Sequence, residues 1–145
     1  MIEVTQTRTG APHGNCHQAC LASIFEVPLG SVPDPVWPDG VPWSGDSEQT
    51  KAAGAERNRA FDEWARSLGF ETVCLNPWSG APDVYHLIAV TNPRGVPHYI
   101  VGRGGRAVWD PNPLRDSLDA VHEFYVFFVA VDPAALARRP GAEAS

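Results

Sequence analysis

A cysteine at the start of a helix, a histidine at the head of a strand and an aspartate on the returning strand are the parts of a nucleophilic thiol site. The chain carries them in that order as Cys16, His98 and Asp110. Cys16 sits in Gly14-Asn15-Cys16-His17-Gln18-Ala19-Cys20. The first turn of a helix leaves backbone N–H groups unpaired at the positive end of the dipole, which lowers the pKa of a thiol placed there. Gly14 allows a sharp turn before it. The competing reading of any lone cysteine is a small buried hydrophobe. It fits Cys20, on one helical stripe with Ile24 and Val27, and Cys74, between Val73 and Leu75 in an apolar strand.

Whether His98 and Asp110 can meet depends on the hairpin between them. A two-residue Gly104-Gly105 turn pairs position 99 with 110 and sends Asp110 to the face opposite His98. A three-residue loop of Arg103, Gly104 and Gly105 pairs 98 with 110, and a glycine suits its left-handed third position. The expected geometry is therefore the three-residue loop, with Asp110 holding one ring nitrogen and the other free for the thiol. Asn112, on the same arm, is the alternative orienting group.

The remaining histidines have plainer roles. His17 projects about a quarter turn away from Cys16 as a solvated or cleft-rim side chain, with a candidate orienting or substrate-binding role, and His13 lies in a loop. His86 heads an apolar strand and is the main rival to His98, although no acid returns opposite it. His122 precedes the aromatic run Phe124–Phe128 and reads as a surface residue. Cys16-x-x-x-Cys20 with nearby histidines invites a zinc reading, but no second Cys or His pair accompanies it. No metal and no cofactor are expected.

The elements that must position these groups are legible from period and punctuation. Asn15-x-x-Gln18 reads as a capping box ahead of a helix from Cys16 to Phe25, stopped by Pro28 and Gly30. Residues 31 to 54 carry no period but include Trp37, Trp43 and several prolines. The segment is either a lid over a cleft or a crossover packed on the core, and one of the tryptophans is expected to border the cleft. A second helix spans Glu56 to Leu68, with Phe61, Trp64, Ala65 and Leu68 at helical spacing. Strands follow at 71–75, 84–91, 98–102, 107–110 and 124–131. Helices followed by a run of strands predict an α+β fold with a small antiparallel sheet. One domain over 1–131 and a flexible tail over 132–145 are expected.

A net charge of -6 argues against nucleic acid as a partner. No run is long enough for a membrane span, and the N-terminus lacks the pattern of a signal peptide. With three cysteines, an odd number, these features point to reduced thiols in a cytoplasm.

Gly14-Asn15-Cys16-His17-Gln18-Ala19-Cys20-Leu21-Ala22-Ser23-Ile24-Phe25, the stretch Pro97-His98-Tyr99-Ile100-Val101 through Trp109-Asp110-Pro111-Asn112-Pro113, and Gln6 upstream resemble the papain-like cysteine peptidase superfamily. The chain looks most similar to the double-glycine leader peptidases of bacteriocin export and to small stand-alone bacterial and phage proteins of that fold. The resemblance implies a nucleophile helix packed on an antiparallel sheet, with Cys16 as nucleophile, His98 as general base and acid, and Asp110 as orienting group. It implies Gln6 as side-chain donor of an oxyanion hole beside the Cys16 N–H. The interval from Gln6 to Cys16 is longer than in those peptidases, and Thr5 and Thr7 are alternatives. The implied activity is hydrolysis of a peptide, or of a small amide or ester, through a thioester. Acyl transfer to an amine, peptide cyclisation and a non-catalytic binding module are the other readings.

Overall fold

The helix that opens at Cys16 ends at Phe25, as α1 (Cys16–Phe25), in a computed structural model that describes residues 1–132 and 134. Every side chain from Gln18 to Phe25 is buried, so α1 is enclosed on all sides rather than laid down by one apolar stripe. It packs on β2 (Tyr85–Thr91) and β3 (Pro97–Arg103). The N-terminal segment closes over it, Ile2 N–H donating to the Ser23 carbonyl and Val4 N–H to the Ser23 hydroxyl. Asn15 occupies the cap position but does not cap. Its Oδ1 accepts instead from the Thr7 and Arg8 amides, and its Nδ2 donates to Thr7 Oγ1 and Gln18 Oε1. Gln18 Nε2 continues the chain to the carbonyls of Leu29 and Val32. The expected capping box is thus a staple between separate segments, because the chain before the helix needed those donors and acceptors more than the helix did.

The second helix, α2 (Glu48–Ser67), begins well before the expected Glu56, with the Ser47 hydroxyl accepting from the Thr50 amide as its cap. Residues 48–55 are mostly good helix formers without apolar period, so they gave no periodic signal although propensity and the cap suffice there. The periodic signal starts only where α2 meets the core at Phe61 and Ala65. The aperiodic segment is correspondingly shorter than expected.

With β1 (Phe70–Leu75), β4 (Arg106–Trp109) and β5 (Phe124–Ala130), the five strands form one antiparallel sheet in the order β1-β5-β2-β3-β4. The α+β class and the antiparallel sheet are as expected. The insertion of β5 between β1 and β2 has no local signature beyond its nearly continuous apolar run. Leu87, Val101 and Val126 face α1, Phe61 and Ala65 on one side. Ile88, Val90, Ile100, Tyr125 and Phe127 form a second cluster on the other, against Ala81 and Ala120 of the connecting loops. Cys74 is exposed rather than in the core, because β1 is an edge strand whose burial fades along its length.

The hairpin differs from expectation in a way that matters. The turn is the two-residue Gly104-Gly105 one, both glycines at positive φ, with Arg103 opposite Arg106 and Gly102 opposite Ala107. The register then shifts, so that Val101 lies opposite Trp109 and Val108 is the extra residue of a bulge. The bulge restores the parity that the short turn would have reversed, and Asp110 emerges on the His98 face. His86, the expected rival to His98, is spent on this turn. It is fully buried, its Nδ1 bonds the Leu87 carbonyl and its Nε2 accepts from the Gly105 amide.

No helix among the described residues is long and apolar enough to cross a membrane. The tail expected over 132–145 lies, apart from Asp132 and Ala134, outside the described residues. Gly102 lies under this packing, where an added β-carbon would come within 2.5 Å of Ile88 Cδ1 and 2.8 Å of His86 Cε1. Gly102→Ala is expected to cost about 1–3 kcal/mol by overpacking. A urea midpoint lowered at unchanged m value checks it.

Candidate active site

The bulge delivers Asp110 into a fully buried position, where three donors hold it. Oδ1 accepts from His98 Nε2 at 2.8 Å and from the Asn112 amide at 2.9 Å, and Oδ2 accepts from the Ser117 amide at 2.9 Å. Burial pushes the carboxyl up, but the His98 bond and the two amides outweigh it and hold it below its ordinary value. The loop after β4 is wrapped around this group. Arg115, stacked over the Trp109 ring at 4.0 Å, donates to the Asp110 and Asn112 carbonyls and to Thr5 Oγ1.

With Nε2 committed to Asp110, Nδ1 is the ring nitrogen left for Cys16, which lies close enough for the two groups to shift each other's pKa. Burial pulls the His98 pKa down, but Asp110 and the Cys16 sulfur together push it up to about 9. Burial pushes the Cys16 thiol up, but the His98 bond and charge, the Tyr99 backbone and Arg57 bring it below its ordinary value. Both shifts favour the thiolate–imidazolium form of the pair over the neutral one. Cys20 is the opposite case: burial and the neighbouring charges of Cys16 and Asp110 push it far up, and its Sγ faces the Tyr99 carbonyl.

Asn112 does not orient the imidazole. Its amide donates to Asp110, its Oδ1 accepts from the Leu114 amide, and the residue lines the cleft. Gln6 is buried in the cleft wall, its Nε2 donating to the Arg8 carbonyl while Oε1 has no partner. One Nε2 hydrogen remains uncommitted. The Thr5 and Thr7 hydroxyls accept from Arg115 and Asn15 and do not line the cleft. Because Asn15 is turned to other partners, no side chain caps the start of α1.

Cys16, His98, Asn112 and Gln6 line a cleft of about 410 Å³ with Gly10, Gly14, Tyr99 and Phe124. Both Trp37 and Trp43 border it. Trp37 is buried with its indole N–H on the Val41 carbonyl, whereas Trp43 is half exposed, so the long segment packs on the body and walls the cleft at once. His17 lies on the rim, stacked on Phe61 at 3.8 Å, and burial with the nearby Arg57 brings its pKa down to about 3. Sequence reasoning missed Arg57, which donates from α2 to the Pro12 and Gly14 carbonyls, and also Arg115 and Ser117. The run of turn formers after Asp110 hints at the last two. Arg57 has no local signal, since its partners are distant in the chain. Among the described residues no group of three or more His, Cys, Asp or Glu could hold a metal ion.

Iodoacetamide is expected to alkylate Cys16 at a lower pH than an ordinary thiol. In His98→Ala the midpoint should move up, since the two largest stabilisers of the thiolate are gone. Exposed Cys74, whose pKa burial and Asp62 raise, serves as the internal reference in site-resolved mass spectrometry. An identical pH profile in wild type and variant would remove the ion pair.

No protein-family model matches the chain, and neither the curated proteins nor the solved structures hold a match to it.

Proposed function

We propose that this chain is a papain-like thiol hydrolase acting on a peptide or a small amide or ester through a Cys16–His98–Asp110 triad. The observation that carries the reading is an imidazole held at 2.8 Å by a fully buried carboxylate and set beside the Cys16 thiol, with thiol and imidazole both lining a cleft of substrate size. The Cys16 thiolate attacks the carbonyl carbon, and the oxygen takes up the negative charge. The Cys16 N–H at the uncapped helix start and the remaining Gln6 Nε2 hydrogen are the donors we assign to that oxygen. His98 gives its proton to the departing amine or alcohol as the C–N or C–O bond breaks, leaving a thioester on Cys16. Water then attacks the thioester, giving a proton to His98 and releasing the acid and the thiolate. Asp110 keeps the ring oriented and balances its charge throughout. A free thiol nucleophile fits a reducing compartment such as the cytoplasm.

An amine reaching the thioester before water would make the same residues an acyltransferase or cyclase. With p-nitrophenyl acetate as donor, turnover and an acetyl adduct mapped to Cys16 are expected, both absent from Cys16→Ala. His98→Ala should lose about 10²–10⁴ in rate. Asp110→Asn, which keeps an acceptor for the loop amides, should lose less. Folded protein with no adduct at Cys16 would leave a binding module as the reading.

A further inference from the structure

Arg57 is the polar group of the cleft that the triad leaves unused. Its guanidinium borders both the 410 Å³ cleft and an adjoining cavity of about 200 Å³ lined by Arg8, His13, Asp34 and Trp37. Arg8, Arg59, Arg66, Arg94 and Arg103 each face a carboxylate. Arg57 faces only the neutral carbonyls of Pro12 and Gly14, at 3.2 and 2.9 Å, and no acidic side chain among the described residues pairs with it. Two of its five N–H groups are used in this way. The other charged groups of the cleft do not cancel it. The carboxylate of Glu123 belongs to the sheet side and accepts from the Thr91 hydroxyl. His17 is neutral, and the Asp34 carboxylate is taken by Arg8. Arg57 is nonetheless close enough to Cys16 for its charge to favour the thiolate.

We propose that Arg57 recognises a carboxylate on the substrate, so that the preferred substrate is an amide or ester bearing a negative charge close to the scissile bond. The inference rests on the thiol-hydrolase reading and gives that site its substrate class. A partly buried arginine anchored by two carbonyls is held in place without being neutralised, and a substrate carboxylate can take its remaining donors. The acidic chain as a whole, at net charge -6, gives no general attraction to anions, so such a preference must be local.

Two alkylating agents separate this charge from thiol reactivity. Iodoacetate and iodoacetamide both form the S–CH2 bond with loss of iodide, and they differ in carrying a carboxylate or an amide. Their rate ratio at Cys16 cancels the thiolate fraction. The ratio is expected to exceed that of free N-acetylcysteine and to fall about fivefold or more in Arg57→Gln, as one charge-assisted hydrogen bond implies. Arg57→Lys should retain part of it. An unchanged ratio in Arg57→Gln overturns the inference while leaving the hydrolase reading intact, whereas failure of both reagents at Cys16 strikes the hydrolase reading instead. Should Arg57→Gln not fold, the wild-type ratio about a unit or more above the His98 pKa of about 9 decides, because His98 is then largely neutral and Arg57 is the remaining cation lining the cleft. A ratio no greater than that of N-acetylcysteine there overturns the inference. Short peptides as protectants of Cys16 identify the source of the carboxylate. Loss of protection on C-terminal amidation assigns a terminal carboxylate, and loss on Glu-to-Gln exchange assigns a side chain. Protection that depends on neither overturns the inference.

Discussion

A fully buried carboxylate cannot stay ionised without donors, and the Asp110 end of the molecule is organised around that requirement. The side chain takes one bond from an imidazole and two from amides of the loop that follows it. That loop is pinned in turn by Arg115 to Thr5 and by Pro111 to the Gln6 amide. The N-terminal segment, the β3–β4 hairpin and the loop after β4 therefore converge on one charge. Satisfying it also sets the His98 ring, because the nitrogen bonded to Asp110 decides which nitrogen faces the thiol.

The other half of the site follows from a similar trade at the start of α1. Asn15 is buried and bonded to the Thr7, Arg8 and Gln18 groups rather than to its own helix. The first-turn amides are left without a side-chain cap, and their positive end adds to the field at Cys16. In the thiolate–imidazolium form that the shifts favour, Cys16, His98 and Asp110 together carry one net negative charge. Arg57 and Arg115 flank them, each anchored to main-chain carbonyls. Anchoring a guanidinium on carbonyls holds it still without neutralising it, so that its charge remains available to the groups beside it.

Much of this was legible before any fold was known. Cys16–Phe25 has its bounds from Gly14, Asn15 and Pro28, and each strand lies within a residue or two of its expected range. The shared face of His98 and Asp110 was inferred through a three-residue loop, whereas the molecule uses a two-residue turn and a bulge at Val108. Both satisfy the same parity, and parity is all that alternation encodes. The start of α2 was missed because an exposed helical turn needs no apolar period. Cys74 was misjudged because the residues flanking it do not say that β1 lies at the edge of the sheet.

The sequence by itself determined the local elements, the order of thiol, imidazole and carboxylate, and the turn residues that bring the last two near each other. These depend on neighbours within a few positions, where spacing and φ preferences act directly. The tertiary structure decided the strand order β1-β5-β2-β3-β4, the commitment of His86 to the Gly105 turn, and the choice of Asp110 over Asn112 as partner of His98. It alone brought Arg57 to the Gly14 carbonyl, 43 residues away, and Arg115 to Thr5, 110 residues away. Such partnerships are set by which buried polar groups must find one another once the chain is closed, and no local pattern records them.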